Sequence, residues 1–395
     1  MTAPDVADLL DPADPAFVAD PYPAYAAARD RGAVAWHSGW GSYVALTHAA
    51  CSAVLRDRGL GRVWTDREDA AALPAFHLLH RHSLLESEPP THTRLRRLVA
   101  GAFGRGHVER LRGVVERRAD ELVADLAAAG GGDLLEAVAA PLPVEVIAEL
   151  LGVPAAVRPS LRPWSNAIVR LYEPTATPAQ RAAAERASAD FVAALRELVA
   201  DRRARPGDDL VSDLVAAQVA DGGRLSDDEL VATGALLLMA GHEATVNGLG
   251  NGVAALLTGP GWRALDGADL TLAAEELLRV DPPLQLFERT ATRDVEVAGV
   301  GVRAGETVAA LLGAAAHDPV VFADPTRIDL GRDPNPHLGF GAGLHYCLGA
   351  PLARLELTAV LGALRTRMPG LHTTQLPQRR PELVIRGLRE LLVAG

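Results

Sequence analysis

The stretch PHLGFGAGLHYCLGAPLARLEL, from Pro336 to Leu357, decides the fold of this 395-residue chain. It holds one cysteine, Cys347, between glycines and directly before a strongly helical segment. A thiolate is the nucleophilic and metal-binding form of cysteine, and the positive end of a helix favours it. We expect the helix to begin near Gly349, with its first N–H groups pointing at the sulfur. The pattern indicates a reactive or ligand thiolate; the alternative is a glycine-rich turn around a buried structural thiol.

The spacing Phe-Gly-x-Gly-x-His-x-Cys-x-Gly resembles the haem-ligand loop of the cytochrome P-450 superfamily, the haem-thiolate monooxygenases. The residues that carry the resemblance are Phe340, Gly341, Gly343, His345, Cys347 and Gly349. It implies that Cys347 binds the iron of haem b, iron protoporphyrin IX, and that its neighbours shape the cofactor site. A thiolate ligand pushes electron density onto iron and favours cleavage of the O–O bond.

The resemblance also implies one cytochrome P-450 domain over residues 1–395, mainly α with a small β portion. In that triangular fold a long central helix lies over the haem and the cysteine loop lies below it. The residue patterns themselves predict a hairpin at Val34 to Leu46, strands within Val295 to Leu312, and a strand near Leu383 to Gly387. Helical patterns are predicted at His92 to Phe103, Val108 to Ala129, Pro143 to Leu151, Pro178 to Arg203, and from the capping box at Ser226 to beyond Gly250.

Haem carries two propionates, so its site needs cations. His92 and Arg96 lie four residues apart in a helical pattern and therefore share one helix face. They are similar to the family's propionate-binding pair. Arg289 matches the family arginine that reaches a propionate from a strand, and His345 matches another donor. Each of these cations, taken alone, would more often be a solvated surface charge.

A second constellation concerns the support of the cysteine loop. Glu276 and Arg279 lie one helical turn apart, a spacing that is common on exposed helices and contributes only about 0.2–0.5 kcal/mol. Together with the cysteine loop, the pair resembles the family's Glu-x-x-Arg helix, which an arginine before the ligand loop completes. That third member is Arg332, and the network it implies is structural.

The predicted long helix carries Gly241 inside an apolar run, although a mid-helix glycine costs about 1 kcal/mol against alanine. By resemblance, this step opens a groove for dioxygen, and an acid followed by a threonine relays protons. Glu243 keeps the acid, but Ala244 stands where threonine is usual. Thr245 comes one place later, about 100° around the helix, and it cannot simply substitute.

Three interpretations of this departure stay open. A substrate hydroxyl and ordered water could bridge the gap. The chemistry could instead be a radical coupling of phenols or indoles. In the third interpretation Ala244 only packs the helix, and Thr245 reaches the relay through water.

The substrate pocket can be predicted only by resemblance. Its candidate residues are Trp64, Phe76, Leu78, Leu79, Leu237, Ala240, Leu286 and Leu388. Apolar residues of this kind are as often core as pocket. Trp64, Phe76, His77 and His80 favour an aromatic, polar or peptide-like substrate over a plain lipid. We expect His77 and His80 to be surface-loop histidines, since no zinc-like Cys/His frame surrounds them.

Composition and charge exclude several classes of protein. The net charge of −11 argues against nucleic acid as a partner, and no apolar run approaches the roughly 20 residues that cross a bilayer. The acidic N-terminus does not resemble a secretion signal. Only two cysteines are present, which predicts a cytoplasmic protein, and we expect Cys51 to be a small buried hydrophobic residue.

The sequence has no Gly-x-Gly-x-x-Gly motif opening a βαβ unit, so we expect no fused flavin or nicotinamide domain and no membrane anchor. Electrons should then come from separate proteins, and the resemblance implies that these are a ferredoxin and a ferredoxin reductase. Arg96, Arg97 and Arg354 are the candidates for a basic docking patch, with Arg354 also a cation near the sulfur.

The resemblance predicts a monooxygenase that uses O2 to hydroxylate or epoxidise a small-molecule intermediate of secondary metabolism. The first alternative is a haem-thiolate enzyme that couples aromatic groups or a cyclic peptide oxidatively, without inserting oxygen. A haem sensor without turnover is the second. Glu243 and Gly241 argue against the sensor, because a sensor needs no proton relay.

Overall fold

The computed structural model describes residues 3–65, 70–100, 105–172, 176–220 and 225–395. Helices dominate these residues, and several short strands accompany them. The α-helices, in chain order from α1 to α14, are Pro15–Ala19, Tyr22–Arg31, His48–Arg56, Pro74–Arg81, Thr91–Ala100, Arg105–Ala128, Pro141–Leu151, Arg158–Val169, Pro178–Ala204, Leu210–Ala220, Asp227–Thr258, Leu270–Val280, Leu312–Ala316 and Ala350–Arg367. Leu135–Ala139 forms a π-helix, and short 3-10 turns lie at Arg170–Tyr172, Trp262–Leu265 and Gly343–His345.

The strands are short and belong to four small sheets. In chain order from β1 to β12 they are Val34–His37, Ser42–Ala45, Leu60–Gly61, Gly131–Asp133, Leu286–Ala291, Val295–Val297, Val300–Val302, Thr307–Leu311, His372–Thr373, Gln378–Arg379, Leu388–Glu390 and Leu392–Ala394. The largest sheet has the strand order β1-β2-β8-β5-β3. The predicted mainly helical chain with a small β portion is therefore confirmed.

The described chain forms two compact units. The first comprises residues 3–61, Gly113–Ala140 and Ala244–Gly395. Its sheet begins with the predicted hairpin, in which β1 and β2 pair antiparallel, and β2 continues parallel to β8. One apolar core lies between this sheet and α3, where valine and leucine side chains such as Val54 are buried. The segment that carries Cys347 and the following helix α14 belong to this unit.

The second unit comprises Arg62–Arg112 and Pro141–Glu243, and it contains the helices α4, α5 and α7 to α10. The helix α9 begins at a full capping box, in which the Thr177 hydroxyl accepts from the N–H of Gln180 and the Gln180 side chain accepts from the N–H of Thr177. Glu185 of α9 accepts hydrogen bonds from the first N–H groups of α4, at Ala75 and Phe76. These contacts fix α4 by its positive end.

The long helix α11 passes along the chain from the second unit into the first. It has 32 residues and begins at the predicted capping box. The Ser226 hydroxyl accepts from the N–H of Glu229 at 3.1 Å, and the Glu229 carboxylate accepts from the N–H of Ser226 at 2.8 Å. Reciprocal bonds of this kind satisfy N–H groups that have no partner inside the helix. The long helix inferred from the sequence is confirmed.

Two structural predictions need correction. The C-terminal strand predicted near Leu383 to Gly387 is displaced: the strand β11 begins at Leu388, and the earlier stretch contributes only an isolated bridge between Leu284 and Ile385. Strand ends depend on pairing partners, which local pattern does not reveal. The other helices start and stop within a few residues of the prediction. For the helix predicted at His92 to Phe103, the end lies outside the described residues.

The second correction concerns the histidines of the α4 region. His77 and His80 were expected in a surface loop, but both lie in α4 and are buried. The ring of Trp64 lies against both imidazoles and that of Phe76 against His80, so packing within the unit buries these histidines. Among the described residues, no helix is both long and apolar enough to cross a membrane.

Candidate functional site

The loop around Cys347 is held by its own backbone and by the start of α14. The Cys347 N–H donates to the carbonyl of Phe340 at 2.9 Å, which closes the loop. Gly349 is the N-cap of α14. A Cβ at Gly349 would lie 4.0 Å from Sγ of Cys347, so the sulfur is close to the positive end of an 18-residue helix. A helix N-terminus favours the thiolate form.

Glycine is required in the turn before the cysteine. Gly343 has φ of +69°, and a Cβ there would lie only 2.5 Å from the carbonyl oxygen of Leu55 in α3. Gly341 also has a positive φ of +70°. Both glycines adopt the left-handed backbone of a sharp turn, and Gly343 lets that turn lie against α3.

The three members of the predicted structural network come together. Both oxygens of Glu276 accept from Arg279 at 2.8 Å, and Nε of Arg332 donates to the same carboxylate at 3.1–3.2 Å. Glu276 and Arg279 are both 0% exposed. The carboxylate also accepts from the N–H of Asp329 and from the side chain of Asn335. A fully buried pair is tolerable only when hydrogen bonds satisfy both ions, as they do here.

A second network, which the sequence reasoning missed, starts one residue earlier in α12. Glu275 accepts from Nε2 of His337 at 3.0 Å and from Nε and Nη2 of Arg354 at 2.5 and 2.9 Å. Burial would raise the pKa of Glu275, but hydrogen bonds from His337 and Arg354 lower it to about 2. The guanidinium of Arg354 also lies 4.4 Å from the centre of the Phe340 ring. The two adjacent glutamates, Glu275 and Glu276, are the sequence feature that could have indicated this second network.

This network corrects the expectation that Arg354 provides a cation for the sulfur or for a docking patch. Its charge is matched by Glu275, and the ion pair raises the pKa of the guanidinium. The guanidinium instead lies over the ring of Phe340, whose carbonyl accepts from the N–H of Cys347. Arg354 is therefore a support of the loop.

The other cysteine has a different environment. Cys51 is 0% exposed in α3, and its Sγ donates to the carbonyls of Ala45 and Leu311 at 3.1 and 3.5 Å. Burial raises the pKa of this thiol. A buried protonated thiol is a poor ligand and nucleophile. The prediction that Cys51 is a small buried residue is confirmed, and Cys347, which is partly exposed, is the remaining candidate.

Two predicted cations accompany the cysteine loop in the first unit. Arg289 lies in β5 and is only 3% exposed; its guanidinium donates to the carbonyl of Glu288 at 3.1 Å and lies 5.7 Å from the ring centre of Phe287. His345 closes the 3-10 turn and is partly exposed. A nearly buried guanidinium stays charged and fits an anionic group.

In the second unit, His92 and Arg96 lie on α5, four residues apart and so on one face. His92 is 1% exposed and Arg96 is partly exposed. Neighbouring Arg94 is bound to the Glu229 carboxylate of α11 by two hydrogen bonds, one of them 3.2 Å long. That ion pair ties α5 to α11 within this unit, and Arg97 lies on an exposed part of α5.

The middle of α11 shows why glycine stands at position 241. A Cβ on Gly241 would lie 2.8 Å from Cγ1 of Ile147 in α7, which is closer than packed carbons approach. The glycine therefore permits close packing of α11 on α7. Ala240, the residue before it, is exposed, although Met239 before this pair and His242 after it are buried.

The relay residues occupy the next turn. Glu243 is 7% exposed and its carboxylate lies 3.6 Å from Nε2 of His242. Ala244 is partly exposed, and Thr245 is 7% exposed. The two residues point in different directions, as their spacing predicted.

The candidate pocket residues divide by burial. Phe76, Leu79, Leu237 and Leu388 are buried, Trp64, Leu78 and Leu286 are partly exposed, and Ala240 is exposed. The rings of Phe76 and His80 lie against each other at a tilt, with their centres 4.0 Å apart. Nδ1 of His80 donates to the carbonyl of Phe76, and its Nε2 is 3.1 Å from the Tyr172 hydroxyl. Trp64 stacks on the same imidazole at 5.1 Å, so these aromatic residues first pack on one another.

The residues present fit a haem with a thiolate ligand. Sγ of Cys347 lies at a helix N-terminus, and the open side of Gly349 faces it without another described atom within 4 Å. The soft sulfur donor suits iron. The buried guanidinium of Arg289 in the same unit suits a carboxylate.

Comparison with known proteins shows the family to which this chain is similar. The family model described as cytochrome P450 matches residues 270–367, which contain both glutamate networks and Cys347. The chain is 40% identical over 387 residues to the cytochrome P450 monooxygenase PikC of Streptomyces venezuelae, covering 95% of this chain and 91% of that protein. It is 44% identical over 295 residues, 73% of each chain, to the mycinamicin IV hydroxylase/epoxidase of Micromonospora griseorubida.

Solved structures agree. The crystal structure of P450BioI in complex with an acyl carrier protein carrying hexadec-9Z-enoic acid superposes with a TM-score of 0.90 at 30% identity, covering 96% of this chain and 99% of that one. The chain belongs to the cytochrome P450 family, and the predicted fold is confirmed. It is a monooxygenase that uses a haem with a cysteine thiolate ligand, molecular oxygen and a small-molecule substrate.

Proposed function

We propose that this protein hydroxylates or epoxidises a small-molecule intermediate of secondary metabolism, with Cys347 as the thiolate ligand of haem b. The observation that carries the proposal is the position of Cys347 at the N-terminus of α14, in a loop that the buried Glu276 and the partly exposed Glu275 support. Similarity to a mycinamicin IV hydroxylase/epoxidase supports oxygen insertion as the reaction. A separate ferredoxin and ferredoxin reductase supply the electrons.

The remaining site residues follow from this assignment. His92, Arg96, Arg289 and His345 hold the two propionates. Phe340, Gly341 and Gly349 shape the loop beside the sulfur, and Trp64, Phe76, Leu78, Leu79, Leu237, Ala240, Leu286 and Leu388 are the candidate substrate contacts. The single-domain organisation and the cytoplasmic location inferred from the sequence belong to the same proposal.

The bound haem supplies the oxidation: two electrons and two protons split dioxygen, so that one oxygen atom enters the substrate and the other leaves as water. The chain's own residues prepare that reaction. The helix α14 stabilises the thiolate of Cys347 by its dipole. Gly241 and Ala240 keep the middle of α11 free of bulk, and Glu243 is the buried acid that delivers protons.

The ligand assignment is tested by the carbon monoxide difference spectrum of the reduced holoenzyme. Wild type should show the red-shifted Soret band of sulfur-ligated haem. Cys347→Ser should abolish that band, because a hydroxyl is not a thiolate donor. Cys51→Ala is the matched control and should keep it, since Cys51 is buried in α3. A band that survives Cys347→Ser contradicts the assignment.

The reaction type is tested with labelled oxygen. A panel of macrolide and polyketide alcohols is screened for a change in the Soret band, and binders are turned over under 18O2 with a plant-type ferredoxin and its reductase. Incorporation of one 18O atom supports hydroxylation or epoxidation. A coupled aromatic product that carries no 18O would favour the oxidative-coupling alternative, which the missing hydroxyl at Ala244 keeps in view.

A further inference from the structure

Two titratable side chains, His242 and Glu243, stand side by side in the middle of α11. They are 2% and 7% exposed. Buried titratable groups need a partner, because desolvation penalises the charged form. Both residues belong to the second compact unit.

One nitrogen of His242 is already committed. Nδ1 lies 2.6 Å from the carbonyl oxygen of Leu238, one turn earlier in the same helix. A carbonyl only accepts hydrogen bonds, so Nδ1 carries a proton. A neutral imidazole has one proton, which leaves Nε2 of His242 as a bare acceptor.

The second nitrogen faces the acid. Nε2 is buried, has no hydrogen-bond partner among the described residues, and lies 3.6 Å from Oε1 of Glu243. A neutral His242 beside an ionised Glu243 would place two lone pairs face to face in a buried site. One proton between the two atoms, directly or through one water, removes that conflict.

We propose that Nε2 of His242 and Oε1 of Glu243 hold one proton between them, and that His242 is a positioning residue that returns protons to Glu243. This inference rests on the proposed function, in which Glu243 delivers protons. It extends that function to the residue before the acid, which has no assigned role.

Ala244, which stands where threonine is usual, gives a reason for a second titratable residue beside Glu243. Ala244 offers no hydroxyl, and Thr245 is buried on a different side of the helix. The acid therefore lacks the neighbouring alcohol that would pass on its proton. A second titratable group at 3.6 Å lets Glu243 be recharged without that alcohol.

The protons balance over one cycle. Oε1 of Glu243 releases a proton toward the reaction site, and the proton on Nε2 of His242 moves to Oε1. Nδ1 keeps its proton on the Leu238 carbonyl throughout. Nε2 then regains a proton from solvent before the next delivery, so no oxidant or reductant is involved.

The shared proton is tested by two-bond 1H–15N correlation of 15N-histidine-labelled holoenzyme in the ferrous carbon monoxide form. We expect His242 to be doubly protonated or to carry its proton on Nδ1, and its Nε2 signal to move in Glu243→Gln. His372→Gln removes an exposed imidazole and should leave the His242 signal unchanged. A neutral Nε2–H ring that does not respond to Glu243→Gln overturns the proposal.

The role in proton delivery is tested with hydrogen peroxide as the oxidant and guaiacol as the reporter, which require no knowledge of the substrate. Glu243→Gln should lower the rate about a hundredfold, in the range of general acid–base effects. His242→Phe should lower it less, about tenfold, because His242 acts only through Glu243. In the Glu243→Gln background, His242→Phe should change the rate less than twofold, because His242 acts through Glu243. His372→Gln should match wild type.

A wild-type rate in His242→Phe, or a full tenfold loss in the double variant, contradicts the role. Each variant is first checked for the sulfur-ligated carbon monoxide band, and His242→Gln replaces His242→Phe if that variant does not load haem. Failure of wild type to show the band contradicts the proposed function instead, and the nitrogen spectrum then decides the shared proton independently.

Discussion

The cysteine loop and the middle of α11 are built on opposite principles. Two glutamates that support the loop are matched by cations: Glu276 binds Arg279 and Arg332, and Glu275 binds His337 and Arg354. In the middle of α11, the chain instead removes side-chain bulk at Gly241 and places a histidine beside an acid. Satisfied networks fix one geometry, whereas a shared proton is a mobile element.

The difference between the cysteine loop and the middle of α11 indicates which positions of this protein tolerate substitution. A loop held by buried ion pairs tolerates little change, because loss of one partner leaves a buried charge uncompensated. The centre of α11 depends on close packing and on which side chain carries a proton, and substitution there alters chemistry with less effect on folding. Ala244 in place of threonine is such a substitution.

Among the tests of this difference between the cysteine loop and the middle of α11, the largest effect is expected at Glu276. Glu276→Gln keeps the shape but leaves Arg279, which is 0% exposed, without its counter-charge. We expect the free energy of unfolding to fall by about 3–5 kcal/mol and little haem-loaded protein to be recovered. Urea unfolding and the ratio of Soret to protein absorbance measure both effects.

The matched control is Glu296→Gln on the exposed face of β6, where the change in the free energy of unfolding should stay within about 0.5 kcal/mol. Equal stability of Glu276→Gln and Glu296→Gln would mean that the loop does not depend on its buried charges.

A smaller effect is expected in α11 at Gly241. Gly241→Ala gains helix propensity of about 1 kcal/mol, but its Cβ would lie 2.8 Å from Cγ1 of Ile147. Overpacking of this kind costs about 1–3 kcal/mol, so we expect a net loss of about 1 kcal/mol in the free energy of unfolding. Urea unfolding gives the value.

Gly113 in α6 provides the control, because no atom lies within 4 Å of a Cβ built there. Gly113→Ala should stabilise the protein by about 0.5–1 kcal/mol. If Gly241→Ala stabilises the protein as much as Gly113→Ala does, close packing on Ile147 is not the reason for the glycine.

The sequence predicted the cysteine loop well because its signal is local. The spacing of Phe340, Gly343 and Cys347 is set by one turn and one helix start, and both lie within ten residues. The hairpin at β1 and β2 was equally local. The Glu276 network was found through its helical spacing, although only the structure shows that Asp329 and Asn335 complete it.

Features that depend on distant contacts were missed. His77 and His80 look like loop histidines in sequence, but tertiary packing buries them in α4. Arg354 looked like a free cation because Glu275, its partner, lies 79 residues away. Close packing of Gly241 on Ile147 is likewise a contact between α11 and α7 that no local pattern reveals.

The last of these tests concerns Glu356 in α14, nine residues after Cys347. Glu356 is 2% exposed, and neither of its oxygens has a hydrogen-bond partner among the described residues. Burial raises the pKa of Glu356 from its ordinary 4.5 to about 8. It therefore differs from the neighbouring acids Glu276, which is buried, and Glu275, which is partly exposed, because both of these are matched by arginine.

The sign of the pH effect follows from proton counting. Between pH 4.5 and 8 the folded protein holds a proton on Glu356 that the unfolded chain releases, so the free energy of unfolding falls as pH rises. The slope is at most about 1.4 kcal/mol per pH unit. Glu356→Gln should remove this slope, measured as the difference in Tm between pH 6 and pH 8.

Glu275→Gln is the matched control, because the pKa of Glu275 is about 2 and this carboxylate is ionised throughout that window. Glu275→Gln should therefore lower Tm by a similar amount at pH 6 and pH 8 and keep the wild-type slope. An unchanged slope in Glu356→Gln would show that Glu356 is ionised in the folded protein, and the region around the sulfur would then hold every acid charged.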